Sequence, residues 1–134
     1  FPGEDEEAFL NTVRLLETVR PAYLHVFPYS ERPGVAALRL DRQVDERTKR
    51  ARARALAELD AALRSEFLRA REGEEHEVLV EARSKGVAHA VTDQFVRVVI
   101  AGDAVTGRWE RVRLRWIGDP RQMAGDPVHE GQVP

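Results

Sequence analysis

The sequence predicts two folds in tandem: an α/β segment at the front and a small all-β antiparallel barrel at the back. Three observations carry this expectation. A helical apolar period runs into Pro21 and is followed by an apolar strand, Tyr23–Phe27. A long charged helix with a leucine stripe comes next. After Gly73 the period changes to two and stays there until Ile117, broken only by turn residues.

Asp5 is a helix N-cap, with Glu6 and Glu7 in a first turn where negative charge suits the helix dipole. Phe9, Val13 and Leu16 then repeat at helical spacing. In the strand Tyr23–Phe27, Leu24 and Val26 share one face and Tyr23, His25 and Phe27 the other. The Leu24/Val26 face is expected to meet helices and the face with polar groups to look into an interior, with Tyr29, Ser30 and Arg32 at the C-terminal rim, where α/β folds place ligands. Residues 28–43 read as a loop rich in Pro and Gly. The helix spanning about 45–71 presents Leu56, Leu59, Leu63 and Phe67, and Arg47, Arg50 and Arg54 on a neighbouring line suit either solvent or phosphate. Glu72-Gly73-Glu74-Glu75 stops it. Strands follow at 76–83, 87–91, 95–100 and 109–117, separated by Ser84-Lys85-Gly86, Thr92-Asp93-Gln94 and the Gly102 to Gly107 connection. Gly118–Pro134, with almost no apolar period, reads as a flexible tail.

Composition narrows the chemistry. The chain has 134 residues, a net charge of −2 and no cysteine, which excludes disulfides and thiolate metal sites. No apolar run approaches a membrane span and no signal peptide is visible, so no membrane partner is expected. Residues 1–46 carry 5 basic and 9 acidic groups, whereas residues 76–117 carry 7 and 5. This asymmetry points to different partners for the two halves.

In the last predicted strand Arg111, Arg113 and Arg115 alternate with Val112, Leu114 and Trp116. The arginines therefore form either the soluble exterior of a barrel strand or a guanidinium ladder along an RNA backbone. On the RNA reading Arg97 and Arg108 extend the ladder, and Phe95 is either a core aromatic or a stacking partner for an unpaired base. No second His or carboxylate stands at metal-ligand spacing from His25, and no HExxH, Walker or Ser-His-Asp pattern occurs.

His25-Val26-Phe27-Pro28-Tyr29-Ser30-x-Arg32-x-Gly34-x-Ala36-Ala37 resembles a segment late in the radical S-adenosylmethionine barrel of methylthiotransferases. Phe1-Pro2-Gly3-Glu4 resembles the end of that family's cofactor-side segment, and the His-Val-Phe-Pro-Tyr-Ser wording is closest to the branch acting on threonylcarbamoyladenosine in tRNA. Thr92-Asp93-Gln94-Phe95-Val96-Arg97-Val98 and Gly107 with Val112 and Leu114 resemble the family's TRAM domain, an OB-like RNA-binding module. Val35 stands where the family usually has threonine, so a hydroxyl contact there is not carried over. The resemblance implies a C-terminal fragment. Residues 1–44 would be the end of a TIM-like radical S-adenosylmethionine barrel, 45–75 a linking helix and linker, 76–117 the TRAM domain and 118–134 the tail. It implies cofactor-side roles for Gly3, Glu4, His25 and Tyr29, a substrate rim at Ser30 and Arg32, and RNA binding by Lys85, Phe95, Arg97, Arg108, Arg111, Arg113 and Arg115. The intact enzyme would use S-adenosylmethionine and two four-iron four-sulfur clusters to add a methylthio group to an adenosine next to the anticodon, in the cytoplasm. Its partners would be tRNA and the missing N-terminal part. Clusters of this kind are held by cysteine thiolates, so this cysteine-free chain alone is expected to bind none stably and to be inactive. The open alternatives are a sister enzyme acting on a ribosomal protein and a non-catalytic RNA-binding module.

Overall fold

Asp5 starts the first helix as its sequence context predicts, its Oδ1 accepting the Ala8 amide at 2.9 Å. This helix, α1, spans Glu6–Val19 and ends at Arg20, which takes a left-handed φ of 50° and donates its amide to Leu16, just ahead of Pro21. Phe9 is its buried residue. The second helix, α2, spans Glu46–Arg69. Asp45 precedes it and accepts from both the amide (3.0 Å) and the hydroxyl (2.7 Å) of Thr48. A short 3₁₀ turn, Ala36–Arg39, interrupts the loop expected over 28–43. The computed structural model describes residues 1–40 and 42–128 and divides into two units, Phe1–Leu63 and Arg64 onward.

In the first unit the segment 23–27 departs from expectation. It is extended but belongs to no sheet among the described residues, and the Tyr23/His25/Phe27 face expected to look into an interior is exposed, while the Leu24/Val26 face meets helices as expected. Leu24 and Val26 are half-buried, while Tyr23, His25 and Phe27 are exposed, Phe27 at 82%. The physical reason is that Val26 shares a cleft with Phe9 of α1 and Leu56 of α2, and Leu24 donates its amide to Asp60 of α2 at 2.6 Å. The two helices therefore cover the Leu24/Val26 side. Amides at 23–27 lack a ladder, so they are expected to exchange with solvent faster than those of 112–114, which are locked between two strands. Residue-resolved hydrogen exchange checks this, and equal or stronger protection at 23–27 would contradict it.

The second unit is a closed barrel of β1 (Glu75–Ser84), β2 (Val87–Thr92), β3 (Arg97–Ala101), β4 (Trp109–Arg115) and β5 (Met123–Pro127). Its order is β1-β2-β3-β5-β4, with β4 pairing back to β1. Only the β3–β5 pair is parallel. This topology is consistent with an OB-like barrel. β1 pairs with β4 over Glu75–Leu79 and with β2 over Val78–Ser84, and a bulge at Glu81 shifts the second register between Val80↔Ala90 and Ala82↔His89. Val78, Val80, Val98, Ile100, Val112 and Leu114 point inward at 0–1% exposure, as period-two alternation requires. Leu68, near the end of α2, joins that core.

β5 corrects the tail expected over 118–134 within the described residues, and positions 129–134 lie outside them. Met123-Ala124-Gly125 is buried and closes the barrel between β3 and β4. The strand escapes a propensity reading because Gly, Asp and Pro are poor strand formers. Its backbone is held instead by ladders on both sides. Gly125 is required by close approach, since a Cβ there would lie 2.6 Å from Cγ1 of Val98 and 3.1 Å from Val112.

Candidate functional site

Alternation places Arg111, Arg113 and Arg115 outward on β4, all exposed, as the arginine ladder requires. They are not free cations, however. Glu75 on β1 lies opposite Arg113 and divides its carboxylate between two of them: Oε1 accepts from Nη2 of Arg113 at 2.7 Å, and Oε2 lies 3.3 Å from Nε of Arg111. Arg115 forks onto Asp126 of β5 at 3.1 and 3.4 Å. The three arginines are thus held by two carboxylates, and exposed Glu77 of β1 lies opposite Arg111 as a third. The Arg113 hydrogen bond, with the charges of Arg111 and Arg113, holds the Glu75 carboxyl below the usual glutamate range against the upward push of desolvation. A carboxyl depressed in this way stabilises the fold above its unfolded pKa, and that contribution is lost as pH falls through its folded value. Replacing Arg113 with Gln should raise the Glu75 titration midpoint, read from its carboxyl chemical shift. An unchanged midpoint would show that the pair is not held in solution.

The remaining predicted cations differ. Arg97, Arg108 and Lys85 are exposed and form no ion pair or side-chain hydrogen bond among the described residues. Phe95, whose fate the sequence leaves open, is not a core aromatic. It sits in the β2–β3 turn with φ 60° and is 77% exposed. Buried Thr92 holds that turn, its hydroxyl accepting the amides of Gln94 (3.2 Å) and Val96 (3.1 Å) while its carbonyl accepts the amide of Phe95. Trp109, which sequence reasoning passes over as a strand start, is 61% exposed. Its signal is available in the alternation: it shares the outward parity of Arg111 and Arg113.

In the first unit a cleft of about 350 Å³ is lined by Glu4, Phe9, Val26, Tyr29, Lys49 and Arg52 among others. Arg52, with its side chain only 11% exposed, ties the Pro-Gly-Glu segment to α2. It donates to the Glu4 carbonyl at 2.9 Å and carboxylate at 3.0 Å, reaches Glu6 at 3.2 Å, and lies over the Phe9 ring. The side chain of Lys49 is 6% exposed and donates to Glu46 at 2.8 Å, with Glu31 at 3.9 Å. The Glu46 contact raises the Lys49 pKa above its ordinary value, against the opposing effect of burial. Tyr29 Oη is buried without a hydrogen-bond partner among the described residues.

So the structure gathers Glu4 and Tyr29 in one cleft. Gly3 instead takes a left-handed turn and gives its amide to the Arg42 carbonyl. His25 lies on the exposed side, stacked on Phe27 and edge-on to Tyr23. Ser30 and Arg32 are exposed. Sequence reasoning misses Lys49 and Arg52, although both continue the Leu56–Leu59–Leu63 stripe toward the N-terminus at helical spacing. Among the described residues no group of three or more His, Cys, Asp or Glu could hold a metal ion, and no helix is long and apolar enough to cross a membrane.

An OB-like barrel joined to a helical segment is a fold, not an activity. No protein-family model matches the chain. It is 34% identical to the threonylcarbamoyladenosine tRNA methylthiotransferase MtaB of Bacillus subtilis over 98% of its own length and 29% of the relative's. It is 40% identical to the tRNA-2-methylthio-N(6)-dimethylallyladenosine synthase of Desulfosudis oleivorans over 99% of the chain and 28% of the relative. To the Aquifex aeolicus MtaB it is 35% identical over 85% of the chain and 27% of the relative. The chain is thus similar along nearly all of its length to tRNA methylthiotransferases, and it spans a little over a quarter of the length of these relatives. Both nucleoside branches match it at similar identity, so the similarity does not give the target nucleoside.

Proposed function

We propose that this chain provides the RNA grip and part of the cofactor-side wall of a tRNA methylthiotransferase, which adds a methylthio group to an adenosine next to the anticodon. The observation that carries this reading is similarity to tRNA methylthiotransferases along 98–99% of the chain. The partners are tRNA and the remaining part of such an enzyme, acting together in the cytoplasm. The barrel is read as a TRAM domain, and residues 1–44 as the end of a TIM-like barrel.

The second unit contributes the grip through Arg111, Arg113 and Arg115 on β4 and through Arg97, Arg108 and Lys85, which form no ion pair among the described residues. In the first unit, Tyr29 Oη is a buried donor without an acceptor among the described residues, beside Lys49 and Glu4 in a cleft with apolar walls. A cofactor bearing acceptor groups and an apolar body suits that lining. S-adenosylmethionine, when bound, supplies the radical and the methyl group of the chemistry. Tyr29 and Glu4 would hold it, with Lys49 and Arg52 fixing their positions. The iron–sulfur clusters do not fit this chain, because it contains no cysteine.

The test is tRNA binding by the full chain across a salt series. Log affinity should fall linearly with log salt concentration, as phosphate contacts demand. No salt-dependent binding of tRNA would overturn the reading.

A further inference from the structure

We propose that the outward face of the barrel at Trp109 is a stacking platform for unpaired nucleobases, so that the chain selects single-stranded or looped RNA over duplex. This rests on the RNA reading and names its substrate class. Strand register assembles the platform from residues far apart in sequence: Trp109 of β4 lies opposite Leu79 of β1, Leu79 opposite Val91 of β2, and Val91 opposite Arg97 of β3. These four form one transverse row across four strands, roughly 14 Å wide at about 4.8 Å per strand spacing. Their neighbours Val78, Val80, Ala90 and Val98 point inward and are buried, so the row points outward. Leu79 and Val91 are half-buried and make an apolar floor, and Trp109 and Arg97 stand exposed at its two ends.

Three features tie this row to a nucleic-acid ligand. The first is the contrast between the two tryptophans. Trp116 packs against the core, whereas Trp109 presents its ring to solvent on an apolar strip, where it adds nothing to the core. The second is Phe95, two residues before Arg97. A bulky residue at φ 60° is unfavourable, yet buried Thr92 fixes the turn that holds it there and leaves the ring 77% exposed. The third is charge. Arg111, Arg113 and Arg115 are each held by a carboxylate, but Arg97 within the row and Arg108 beside Trp109 form no ion pair among the described residues. The uncompensated positive charge therefore borders the exposed aromatics. Phosphates satisfy the guanidinium groups, and base faces satisfy the rings. A duplex offers the phosphates but keeps its base faces stacked inside, so only unpaired nucleotides can use both.

The test uses the full chain carrying Trp116→Phe, which leaves Trp109 as the sole indole of the two in the sequence. The probes are a single-stranded RNA oligonucleotide and an RNA duplex with the same number of phosphates. Single-stranded RNA should quench Trp109 fluorescence and bind more tightly than duplex. Trp109→Ala in the otherwise unaltered chain should weaken single-strand binding about tenfold, the scale of one base stack, and leave duplex binding within about twofold. Circular dichroism of Trp109→Ala should match the parent, because the removed ring is exposed. Equal affinity for the two probes together with a neutral Trp109→Ala overturns the platform and leaves the RNA reading standing. Failure to bind either probe overturns both.

Discussion

Ending the chain after Gln122 should abolish cooperative folding of the barrel. β5 supplies Met123, at 0% exposure, and is hydrogen-bonded to β3 on one side and β4 on the other. Its removal opens the barrel, bares two strand edges and uncovers Val98, Val112 and Leu114. A small module has roughly 0.05–0.15 kcal/mol of stability per residue. Met123→Ala alone should cost about 2–5 kcal/mol, which is much of that total. Gly125→Val should cost about 1–3 kcal/mol by overpacking, because a branched side chain must enter space already filled by Val98 and Val112. Thermal denaturation followed by circular dichroism distinguishes these variants. A truncated chain that melts at the parent's midpoint would show that β5 does not close the barrel in solution.

Replacing Arg111, Arg113 and Arg115 together with glutamine should weaken tRNA binding and make the slope of log affinity against log salt shallower by about two to three, near one unit for each phosphate that no longer meets a guanidinium. Glu75 and Asp126, now without their partners, would face the RNA backbone as bare carboxylates, so affinity should fall further than the removal of cations alone requires. The converse change, Glu75→Gln, releases Arg111 and Arg113 and should strengthen binding, because phosphate no longer competes with a carboxylate. The fold should survive both changes, since Val112 and Leu114 remain buried. Arg14→Gln with Arg39→Gln should leave binding unchanged. If the triple variant keeps the parent's affinity and slope, the three arginines are only a solvated strand face.

Much of the barrel is legible in the sequence because period-two alternation reports burial directly. Val78 with Val80, and Val112 with Leu114, mark the inward side of β1 and β4 and are buried, whereas Ala82, expected on the same face as Val78 and Val80, is exposed beyond the bulge at Glu81. β5 is illegible because its stability is not local: Met-Ala-Gly-Asp-Pro has little strand preference, and two ladders impose its conformation. At 23–27 the alternation and the helix-facing side are legible, but the interior expected behind Tyr23, His25 and Phe27 is not met, because no neighbouring strand among the described residues pairs with the segment. The candidate sites divide in the same way. Arg111, Arg113 and Arg115 can be placed on one face from sequence, but not their carboxylate partners, which lie 38 residues from Arg113 at Glu75 and 11 from Arg115 at Asp126.

By itself, then, the sequence determined the helical and strand periods, the capping of α1 by Asp5, the common face of the β4 arginines and, through the absence of cysteine, the exclusion of thiolate clusters. Only the tertiary structure decided that Trp109, Leu79, Val91 and Arg97 form one row, that Lys49 and Arg52 enter the cleft beside Tyr29, and that Phe95 is held out of the core. The reason is that periodicity and capping are set by residues within one turn or one pleat. Register, closure and ion pairing depend on segments brought together only when the chain has folded.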